Sequence, residues 1–260
     1  MSEREPIDAY AAYSQFYDLY VGDRTEDIPL YLEYATAAMT PVLEIGAGSG
    51  RLTVPFASNG HDVVAVDISE SMLALLEARL ADPPDARRGR VRVVRTDMRE
   101  LKLGETFDFV LVPFFTFNYL LTPEAQAAAL DRLSAHVSAS GRLVLDLFVP
   151  PDLELDSVLE PEVRMDATDP ATGNRIRLWT SASVDANARL EHRTQWFEVT
   201  LPDGMSETTE IKMDRRYFQP GEPERIANEH GLAVRELTTG YRGKPPKPDS
   251  VQLVYELGHG

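Results

Sequence analysis

The chain has 260 residues, of which 43% are hydrophobic and 8% aromatic, so it can bury a full core in one large domain or two small ones. Its 26 basic and 42 acidic residues give a formal net charge of −16, which disfavours nucleic acids and anionic membrane surfaces as partners. The lack of cysteine in the sequence excludes disulfides, thiolate metal sites and a cysteine nucleophile, and the lack of an apolar signal segment favours a cytoplasmic protein that does not enter a membrane.

The N-terminal segment predicts two helices, over residues 8–20 and 25–39. Tyrosines recur in the first helix at spacings of three and four residues, which places them on one face: Tyr10, Tyr13, Tyr17 and Tyr20. This aromatic face suits either a helix packed on the protein core or a lid that closes over a ligand. The pattern alone leaves both open.

The stretch from Val42 to Asp67 has the pattern of a strand, a glycine-rich loop, a helix and a second strand. Two short aliphatic runs that bracket a segment of helical length indicate a βαβ unit in a buried parallel sheet. Gly46, Gly48 and Gly50 make the loop, where a ligand can lie directly against backbone N–H groups. The loop does not fit the dinucleotide fingerprint G-x-G-x-x-G, because Arg51 stands where the third glycine would be.

Two acidic residues flank the glycine loop. Glu44 lies two residues before the first glycine, where its carboxylate is a poor neighbour for a pyrophosphate and a good one for an ammonium or sulfonium group. Asp67 ends the second strand, where a carboxylate can accept hydrogen bonds from ribose hydroxyls. Together they predict a nucleoside ligand that carries positive charge.

Glu44 and the three glycines, with Asp67 closing the second strand, resemble the S-adenosylmethionine (SAM) site of class I methyltransferases. The resemblance is to the small-molecule type, such as aminosugar N,N-dimethyltransferases and glycine N-methyltransferases. With the strand pattern, it implies an α/β fold that has a Rossmann-like, seven-stranded, mostly parallel sheet with flanking helices and an inserted antiparallel β-sheet. It also implies SAM as the cofactor and S-adenosylhomocysteine (SAH) as the product.

The resemblance extends to further residues around the cofactor. A tyrosine of the first helix closes over SAM in such enzymes, and Tyr17 is the best candidate. Ile68 and Met72 would flank the adenine ring, although they are equally suited to the core, and Asp97 would accept the adenine amino group. The full set of predicted cofactor-binding residues is Tyr17, Glu44, Gly46, Gly48, Gly50, Arg51, Asp67, Ile68, Met72, Asp97, Met98 and Pro113.

An aromatic loop follows the fourth predicted strand, residues 107–112. Ligands bind at the carboxyl ends of strands in open α/β sheets, and in this family the loop faces the acceptor. We therefore expect an acceptor pocket made by four of its residues, with a buried hydrophobic elbow as the alternative: Phe114, Phe117, Asn118 and Tyr119. Asp146 lies in the apolar fifth strand, 142–148, where its charge needs a partner in the backbone or in the site.

Four extended segments separated by turn clusters predict an inserted antiparallel meander: 162–168, 174–184, 189–200 and 206–218. In the family, an insert at this place covers the acceptor or builds a homodimer contact. Alternation puts His192 and Trp196 on one face, and Arg215 and Tyr217 share a face of the last strand. The catalytic candidates are His192, Tyr217 and Asn118, and the substrate-binding candidates are Phe114, Phe117, Tyr119, Trp196 and Arg215.

The predicted domain organisation has four segments. Residues 1–39 form an N-terminal helical lid, and residues 40–150 form the SAM-binding α/β core. Residues 151–219 form the inserted sheet, and residues 220–260 add a helix and a strand pair that complete the core. No metal is implied, because the sequence has neither an H-E-x-x-H motif nor a cluster of His and carboxylate residues with ligand spacing.

The leading functional hypothesis is a SAM-dependent methyltransferase that acts by in-line displacement on a nitrogen or carbon atom of a small molecule, such as a secondary metabolite. A general base is optional for such nucleophiles, whereas an oxygen acceptor would need help from His192 or a tyrosine. Two alternatives stand beside it: an NAD-dependent oxidoreductase, and a noncatalytic nucleoside-binding module. The misplaced third glycine and the lack of a Tyr-x-x-x-Lys pair in the sequence argue against the oxidoreductase.

Overall fold

The computed structural model describes residues 5–22, 24–81, 89–149, 158–241, 243–247 and 250–260, with only the backbone of 5–10 and 158–159. The chain forms two compact units. One contains Arg24–Asp152 and Tyr217–Gly260, and the other contains Met1–Asp23 and Leu153–Arg216. The four domain boundaries drawn from the sequence stay a prediction, and residues 150–157 lie outside the described part of the chain.

The structure contains helices, strands and two short 3-10 helices, Met98–Glu100 and Thr116–Tyr119. The helices are α1 (Glu5–Val21), α2 (Ile28–Thr36), α3 (Thr53–Ser58), α4 (Glu70–Ala81), α5 (Pro123–His136) and α6 (Glu222–Glu229). The strands are β1 (Val42–Ile45), β2 (Val63–Asp67), β3 (Val91–Arg95), β4 (Phe107–Val112), β5 (Val137–Phe148), β6 (Val158–Thr168), β7 (Arg175–Asp185), β8 (Leu190–Thr200), β9 (Ser206–Arg216), β10 (Leu232–Thr238) and β11 (Gln252–His259).

The first unit is built on a seven-stranded sheet with the order β10-β11-β5-β4-β1-β2-β3. The strands from β5 to β3 pair in parallel, and β11 pairs antiparallel with both β5 and β10. β1 lies between β2 and β4, so the connections that follow β1 and β4 leave the same edge of the sheet at the point where the strand order reverses. This edge is where open α/β sheets bind ligands.

Alternate residues of the central strands enter two hydrophobic clusters, one on each face of the seven-stranded sheet. Leu43 and Ile45 of β1 belong to the cluster that α5 and α6 cover, whereas Val42 belongs to the one that α2, α3 and α4 cover. Burial on both faces explains why these strands read as continuous aliphatic runs in the sequence. It also places Glu44 on the face that Val42 shares.

The second unit is a four-stranded antiparallel sheet, in the order β6-β7-β8-β9, together with α1. β8 pairs with β7 and β9 in register over its whole length. The Phe16 ring of α1 stacks on Phe197 of β8 with centroids 4.3 Å apart. The predicted seven-stranded, mostly parallel sheet with an added antiparallel sheet is thus confirmed.

Several predicted boundaries are wrong by a few residues. α2 is shorter than predicted and begins at Ile28, because Pro29 sets the first turn of the helix. β5 begins at Val137, directly after α5, whereas the sequence predicts a start at residue 142, after Gly141. Gly141 instead lies where the pairing of β5 with β4 shifts register, and a Cβ there would come 2.7 Å from the Phe107 carbonyl oxygen. The glycine permits this irregularity within the strand.

Candidate functional site

The glycine loop after β1 has the backbone conformation that its sequence predicts. Gly46, Gly48 and Gly50 have φ angles of +77°, +56° and +90°, which side chains other than glycine rarely adopt. The Gly46 N–H donates to the Val66 carbonyl of β2 at 2.8 Å. A Cβ at Gly46 would lie 2.5 Å from the Thr116 Cγ2 atom, so the loop is packed closely against the segment after β4.

Asp67, at the end of β2, holds this loop in place. Its Oδ2 accepts a hydrogen bond from Gly48 N at 2.8 Å, and its Oδ1 accepts one from Ser69 N at 2.8 Å. Burial raises the pKa of the Asp67 carboxyl, and the hydrogen bonds from Ser69 and Gly48 oppose that rise. Each carboxylate oxygen has a second lone pair, so Asp67 can hold the loop and also accept hydrogen bonds from a ligand.

Glu44 is buried beneath the glycine loop, with only 1% of its surface exposed. The Thr53 hydroxyl donates to its Oε2 at 2.6 Å. Burial raises the pKa of Glu44 to about 8, although the Thr53 hydrogen bond and the charge of Arg51 oppose the rise. Glu44 is therefore mostly a neutral acid near pH 7, and a cation brought near it would favour its ionised form.

Arg51 ties the glycine loop to the segment before α2. Its Nη1 and Nη2 donate to the two carboxylate oxygens of Asp27 at 2.7 and 2.6 Å, and Nη1 also donates to the Arg24 carbonyl at 2.8 Å. The Arg51 guanidinium lies 5.2 Å from the centroid of the Phe114 ring. Asp27 is 2% exposed, and the sequence analysis missed this partner because a pair separated by 24 residues leaves no periodic signal.

The residues expected near the adenine ring lie after β2 and β3. Met72 is buried on α4, whereas Ile68 and Met98 are partly buried. Asp97 accepts the Arg99 N–H at 2.8 Å and forms an ion pair with the Arg99 guanidinium, in which Nη2 lies 2.7 Å from Oδ2. Burial acts to raise the pKa of Asp97, but the hydrogen bonds from Arg99 outweigh it and lower the pKa. Asp97 is thus ionised and can accept hydrogen bonds, although Arg99 of the same loop already occupies part of its carboxylate.

The loop after β4 carries two consecutive residues in the left-handed region. Phe114 and Phe115 have φ angles of +51° and +63°, next to the buried Pro113. Asp146 of β5 holds both: its Oδ2 accepts from Phe114 N at 3.1 Å, and its backbone carbonyl accepts from Phe115 N at 3.1 Å. Strained backbone of this kind persists only where the surroundings fix it, and it clusters at functional sites.

Asp146 is completely buried and has two further donors. Tyr241 donates its hydroxyl to Oδ2 at 2.7 Å, and Gln252 Nε2 donates to Oδ1 at 2.9 Å. Burial raises the pKa of Asp146 to about 6, and the hydrogen bonds from Gln252, Tyr241 and Phe114 oppose the rise. The partners that the sequence left open are therefore Tyr241 and Gln252, together with the backbone of the loop after β4. Tyr241 and Gln252 come from the far end of the chain, and the sequence analysis missed both.

Two of the predicted acceptor residues in this loop are deeply buried. Phe117 is 2% exposed and stacks on Phe218 in the main hydrophobic cluster, with centroids 6.0 Å apart. The Asn118 amide bonds both backbone groups of Phe148: Nδ2 donates to its carbonyl and Oδ1 accepts from its N–H, each at 3.0 Å. This geometry supports the alternative of a buried elbow for Phe117 and Asn118. Phe114 and Tyr119 remain partly exposed.

The candidates of the four-stranded sheet fall on two faces. His192 Nδ1 lies 2.8 Å from Asp214 Oδ1, and Trp196 Nε1 donates to Glu210 Oε2 at 2.9 Å, on the same face as predicted. Arg215 lies on the opposite face, where it is buried and forms an ion pair with its register partner Glu191. The structure therefore brings His192 and Trp196 together and separates Arg215 from them.

The remaining two candidates are not residues of the strands of that sheet. Tyr217 follows the end of β9 and is 6% exposed. Tyr17 lies on α1, where its ring meets the Tyr13 ring edge-on with centroids 5.5 Å apart. A catalytic role for Tyr217 and a lid role for Tyr17 stay predictions.

Comparison with known proteins decides the family. Residues 42–141 match the methyltransferase domain family. The chain is 32% identical over 216 residues to the cypemycin N-terminal methyltransferase of Streptomyces sp., and the match covers 83% of this chain and 82% of that protein. The chain belongs to the SAM-dependent methyltransferases.

Two further matches support the assignment of this chain to the methyltransferase family. It is 27% identical over 141 residues to the dTDP-3-amino-3,4,6-trideoxy-alpha-D-glucopyranose N,N-dimethyltransferase of Streptomyces venezuelae, which covers 52% of this chain and 56% of that protein. Its fold matches the CcbJ methyltransferase from Streptomyces caelestis with a TM-score of 0.78 at 21% identity, over 97% of this chain and 98% of the other. The resemblance read from the sequence is confirmed, and neither the NAD-dependent oxidoreductase nor the noncatalytic module gains support.

The cofactor of the methyltransferase is SAM, which leaves as SAH. The residues at the carboxyl ends of β1 and β2 fit this molecule. Asp67 retains acceptor capacity for ribose hydroxyls, and the left-handed glycines keep the loop free of side chains. The buried carboxyl of Glu44 suits a ligand with a sulfonium and an ammonium group. A small-molecule acceptor follows from the family.

In the part of the chain that the structure describes, no group of three or more His, Cys, Asp or Glu side chains is placed to hold a metal ion. Among the same residues, no helix has both the length and the apolar character needed to cross a membrane.

Proposed function

We propose that this methyltransferase transfers the methyl group of SAM to a nitrogen atom of a hydroxylated small molecule, with amino sugars as the first class to test. The observation that carries the proposal is the relative that is 32% identical over 83% of the chain, whose name describes methylation at an N-terminus. A second relative is named as an N,N-dimethyltransferase of an amino sugar, and it supports the same acceptor atom.

The chain contributes to the reaction by binding SAM and the acceptor and by aligning them. SAM supplies a methyl group on a positively charged sulfur, which a neutral amine displaces in line. Holding nucleophile and methyl carbon about 3 to 3.5 Å apart supplies most of the rate, since effective molarities reach about 10⁵ to 10⁸ M. A neutral amine needs no essential base. His192, whose Nδ1 contacts Asp214, is the general-base candidate from the sequence, and this role stays a prediction.

In this proposal the groups around the glycine loop hold SAM. Asp67 accepts hydrogen bonds from the ribose hydroxyls, and Glu44 is the negative charge that balances the cationic ligand. Arg51 fixes the loop through Asp27 rather than contacting the methyl group. The wider set of cofactor and acceptor residues, a homodimer and a cytoplasmic location stay predictions.

Two measurements on the purified full chain test the proposal. Calorimetric titration with SAM, SAH and NAD in parallel should show binding of the first two and not of NAD. Transfer of radiolabelled methyl from SAM should then be measured with glucosamine, glycine, indole and a phenol as acceptors, and by mass spectrometry of the products.

Methylation of glucosamine nitrogen above the level of the other acceptors supports the proposal. Methylation of indole carbon or phenol oxygen alone contradicts it. The control variant Glu77→Ala removes an exposed acidic residue on α4 and should behave as the wild type in both measurements.

A further inference from the structure

Two tryptophans border a cleft on one face of the four-stranded sheet. Trp179 of β7 and Trp196 of β8 are partly exposed and lie directly opposite each other in the strand register. Side chains in such positions are close enough to touch, yet in the described structure their indole rings form no ring contact with each other. A cleft of about 290 Å³ lies beside both rings, and its lining is completed by Pro161, Glu198 and Thr208. Small-molecule sites enclose about 300 to 1,000 Å³, so this cleft suits a ligand of one ring.

The residues that line the cleft carry three polar groups without a hydrogen bond in the part of the chain that the structure describes. They are the Trp179 Nε1–H, the Glu198 carboxylate and the Thr208 hydroxyl. Glu198 and Thr208 are register partners on β8 and β9, in the cross-strand row next to that of the tryptophans on the same face. The Trp196 Nε1–H, by contrast, already donates to Glu210 at 2.9 Å. The cleft therefore offers one donor, one acceptor and one hydroxyl beside two aromatic rings.

The charges next to the cleft are balanced. Arg177 Nη1 lies 3.8 Å from Glu198 Oε2, an ion pair that is too long for a hydrogen bond, and Asp166 pairs with both Arg175 and Arg177. The Arg177 guanidinium also lies 5.8 Å from the centroid of the Trp179 ring. A cationic ligand would thus meet a guanidinium that already occupies one aromatic ring, whereas an anion would meet Glu198. The cleft therefore favours a neutral ligand.

A neutral sugar ring combines the properties that the cleft selects. The C–H groups of a pyranose form apolar faces that can pack on an indole, and the hydroxyls at its edge both donate and accept hydrogen bonds. An apolar ring of the same size would cover the three polar groups without satisfying them. We infer that the cleft of Trp179 and Trp196 is a carbohydrate-binding site for a neutral pyranose.

This inference goes beyond the proposed function and does not depend on it. The cleft lies wholly within the four-stranded sheet, and a sugar without nitrogen offers no amine for methylation. The sequence-based prediction gave Trp196 to the methyl acceptor, and the inference assigns it to a separate ligand instead. Trp179 was not singled out, because only the strand register shows that the two tryptophans lie opposite each other.

The test uses tryptophan fluorescence of the purified full chain. Trp179 and Trp196 are the only tryptophans in the sequence, so the emission reports on this cleft alone. The probes are the methyl pyranosides of glucose, galactose and mannose, with cyclohexylmethanol as an apolar ring and choline as a cation. At least one pyranoside should shift the emission to shorter wavelength in a saturable manner, because it displaces water from the indoles. Cyclohexylmethanol and choline should bind at least about tenfold more weakly, since neither satisfies the three polar groups.

Four variants locate the binding. Thr208→Val should weaken pyranoside binding about fivefold, the loss expected for one neutral hydrogen bond. Its matched control is Thr194→Val, which lies on the same face of β8 but does not line the cleft, and which should bind as the wild type. Trp179→Phe keeps an aromatic ring and loses the N–H donor, so its loss should also be about fivefold. Trp179→Leu should bind more weakly still. Melting temperatures show whether each variant is folded, and if Trp179→Leu is not, Thr208→Val decides.

Several results overturn the inference. A fluorescence response to none of the pyranosides, or an equal response to cyclohexylmethanol, would leave only an apolar surface. Tighter binding of choline would show a cation site instead. Equal affinities of Thr208→Val and Thr194→Val would remove the polar groups from the site. Because the pyranosides carry no nitrogen, each of these failures leaves the proposed methyl transfer to nitrogen intact, and failure of that transfer leaves the carbohydrate site intact.

Discussion

We expect the binding of SAM to be linked to a change in the protonation of the buried carboxyl of Glu44. Burial raises its pKa to about 8, and the hydrogen bond from Thr53 moderates this rise. At pH 7 about 0.9 of the Glu44 side chains are therefore protonated before the ligand arrives. A sulfonium and an ammonium group placed beside the glycine loop would favour the carboxylate, so we expect binding of SAM to release up to about 0.9 proton per site at pH 7.

The raised pKa of Glu44 also makes the stability of the fold depend on pH in a defined direction. Because the pKa in the folded state lies above its ordinary value of 4.5, the neutral acid stabilises the fold. This contribution is complete below about pH 4.5 and is lost as the pH rises through about 8, by about 5 kcal/mol in all. The free energy of unfolding of the wild type should therefore fall relative to that of Glu44→Gln as the pH rises from 5 to about 9.

The assay is calorimetric titration with SAM at pH 7 in buffers of different ionisation enthalpy. The slope of the binding enthalpy against the ionisation enthalpy gives the number of protons released. The α-amino group of SAM itself titrates near pH 7.7 to 8.0, so the informative quantity is the difference between the wild type and Glu44→Gln. SAH carries the ammonium but not the sulfonium group, and it separates their effects.

Equal slopes for the wild type and Glu44→Gln would refute the reasoning. Thr53→Val provides a directional check, because loss of the Thr53 hydrogen bond should raise the pKa of Glu44 further. Proton release in that variant should therefore persist to higher pH than in the wild type. A shift in the opposite direction would show that the carboxyl titrates for another reason.

Three further perturbations test the site. Asp67→Ala should weaken SAM binding at least about tenfold in calorimetry, since its carboxylate holds the loop and, in the proposed function, also accepts hydrogen bonds from the ribose. The affinity of Glu77→Ala should be unchanged, and equal affinities of the two variants would remove Asp67 from the site. Gly46→Ala should lower the free energy of unfolding by about 1–3 kcal/mol in urea titrations, because a Cβ would lie 2.5 Å from Thr116 Cγ2, and Thr116→Ala should restore part of it. The free energy of unfolding of the wild type should fall by about 3 kcal/mol as the pH rises from about 4 through 6, since burial raises the pKa of Asp146 to about 6. Asp146→Asn should abolish this fall, and identical pH slopes of the two proteins would contradict the reasoning.

The part of the site that follows β1 could be predicted because its constraints are local. Left-handed glycines, an acid before them and an acid at the next strand end all lie within one βαβ unit, where spacing fixes position. The aliphatic strands could be predicted equally well, because burial on both faces of the sheet gives continuous apolar runs in the sequence instead of alternating polar residues. The β5 boundary failed at Gly141 for the converse reason: a glycine that permits a register shift looks the same in sequence as a glycine that ends a strand.

The polar contacts that fix the site could not be predicted, because their partners are distant in sequence. Arg51 meets Asp27, and Asp146 meets Tyr241 and Gln252, through pairs that only the folded sheet brings together. Sequence reasoning identified Asp146 as a charge that needs a partner and had no means to choose one. A buried carboxylate inside an apolar strand is therefore a useful signal of a network, and it carries no information on the network's members.

The strained loop after β4 shows why a local rule on backbone conformation can fail. Glycine at positions 114 and 115 would avoid a left-handed backbone cost of roughly 1 kcal/mol or more per residue, yet both are phenylalanine. The Phe114 ring lies 5.5 Å and 5.2 Å from the guanidinium groups of Arg24 and Arg51, and such contacts contribute about 0.5–1 kcal/mol each. These contacts and the hydrogen bonds to Asp146 together offset the strain. The backbone of this loop is thus fixed by side chains that glycine lacks, and the Phe114 ring packs against Arg51, which itself holds the glycine loop through Asp27.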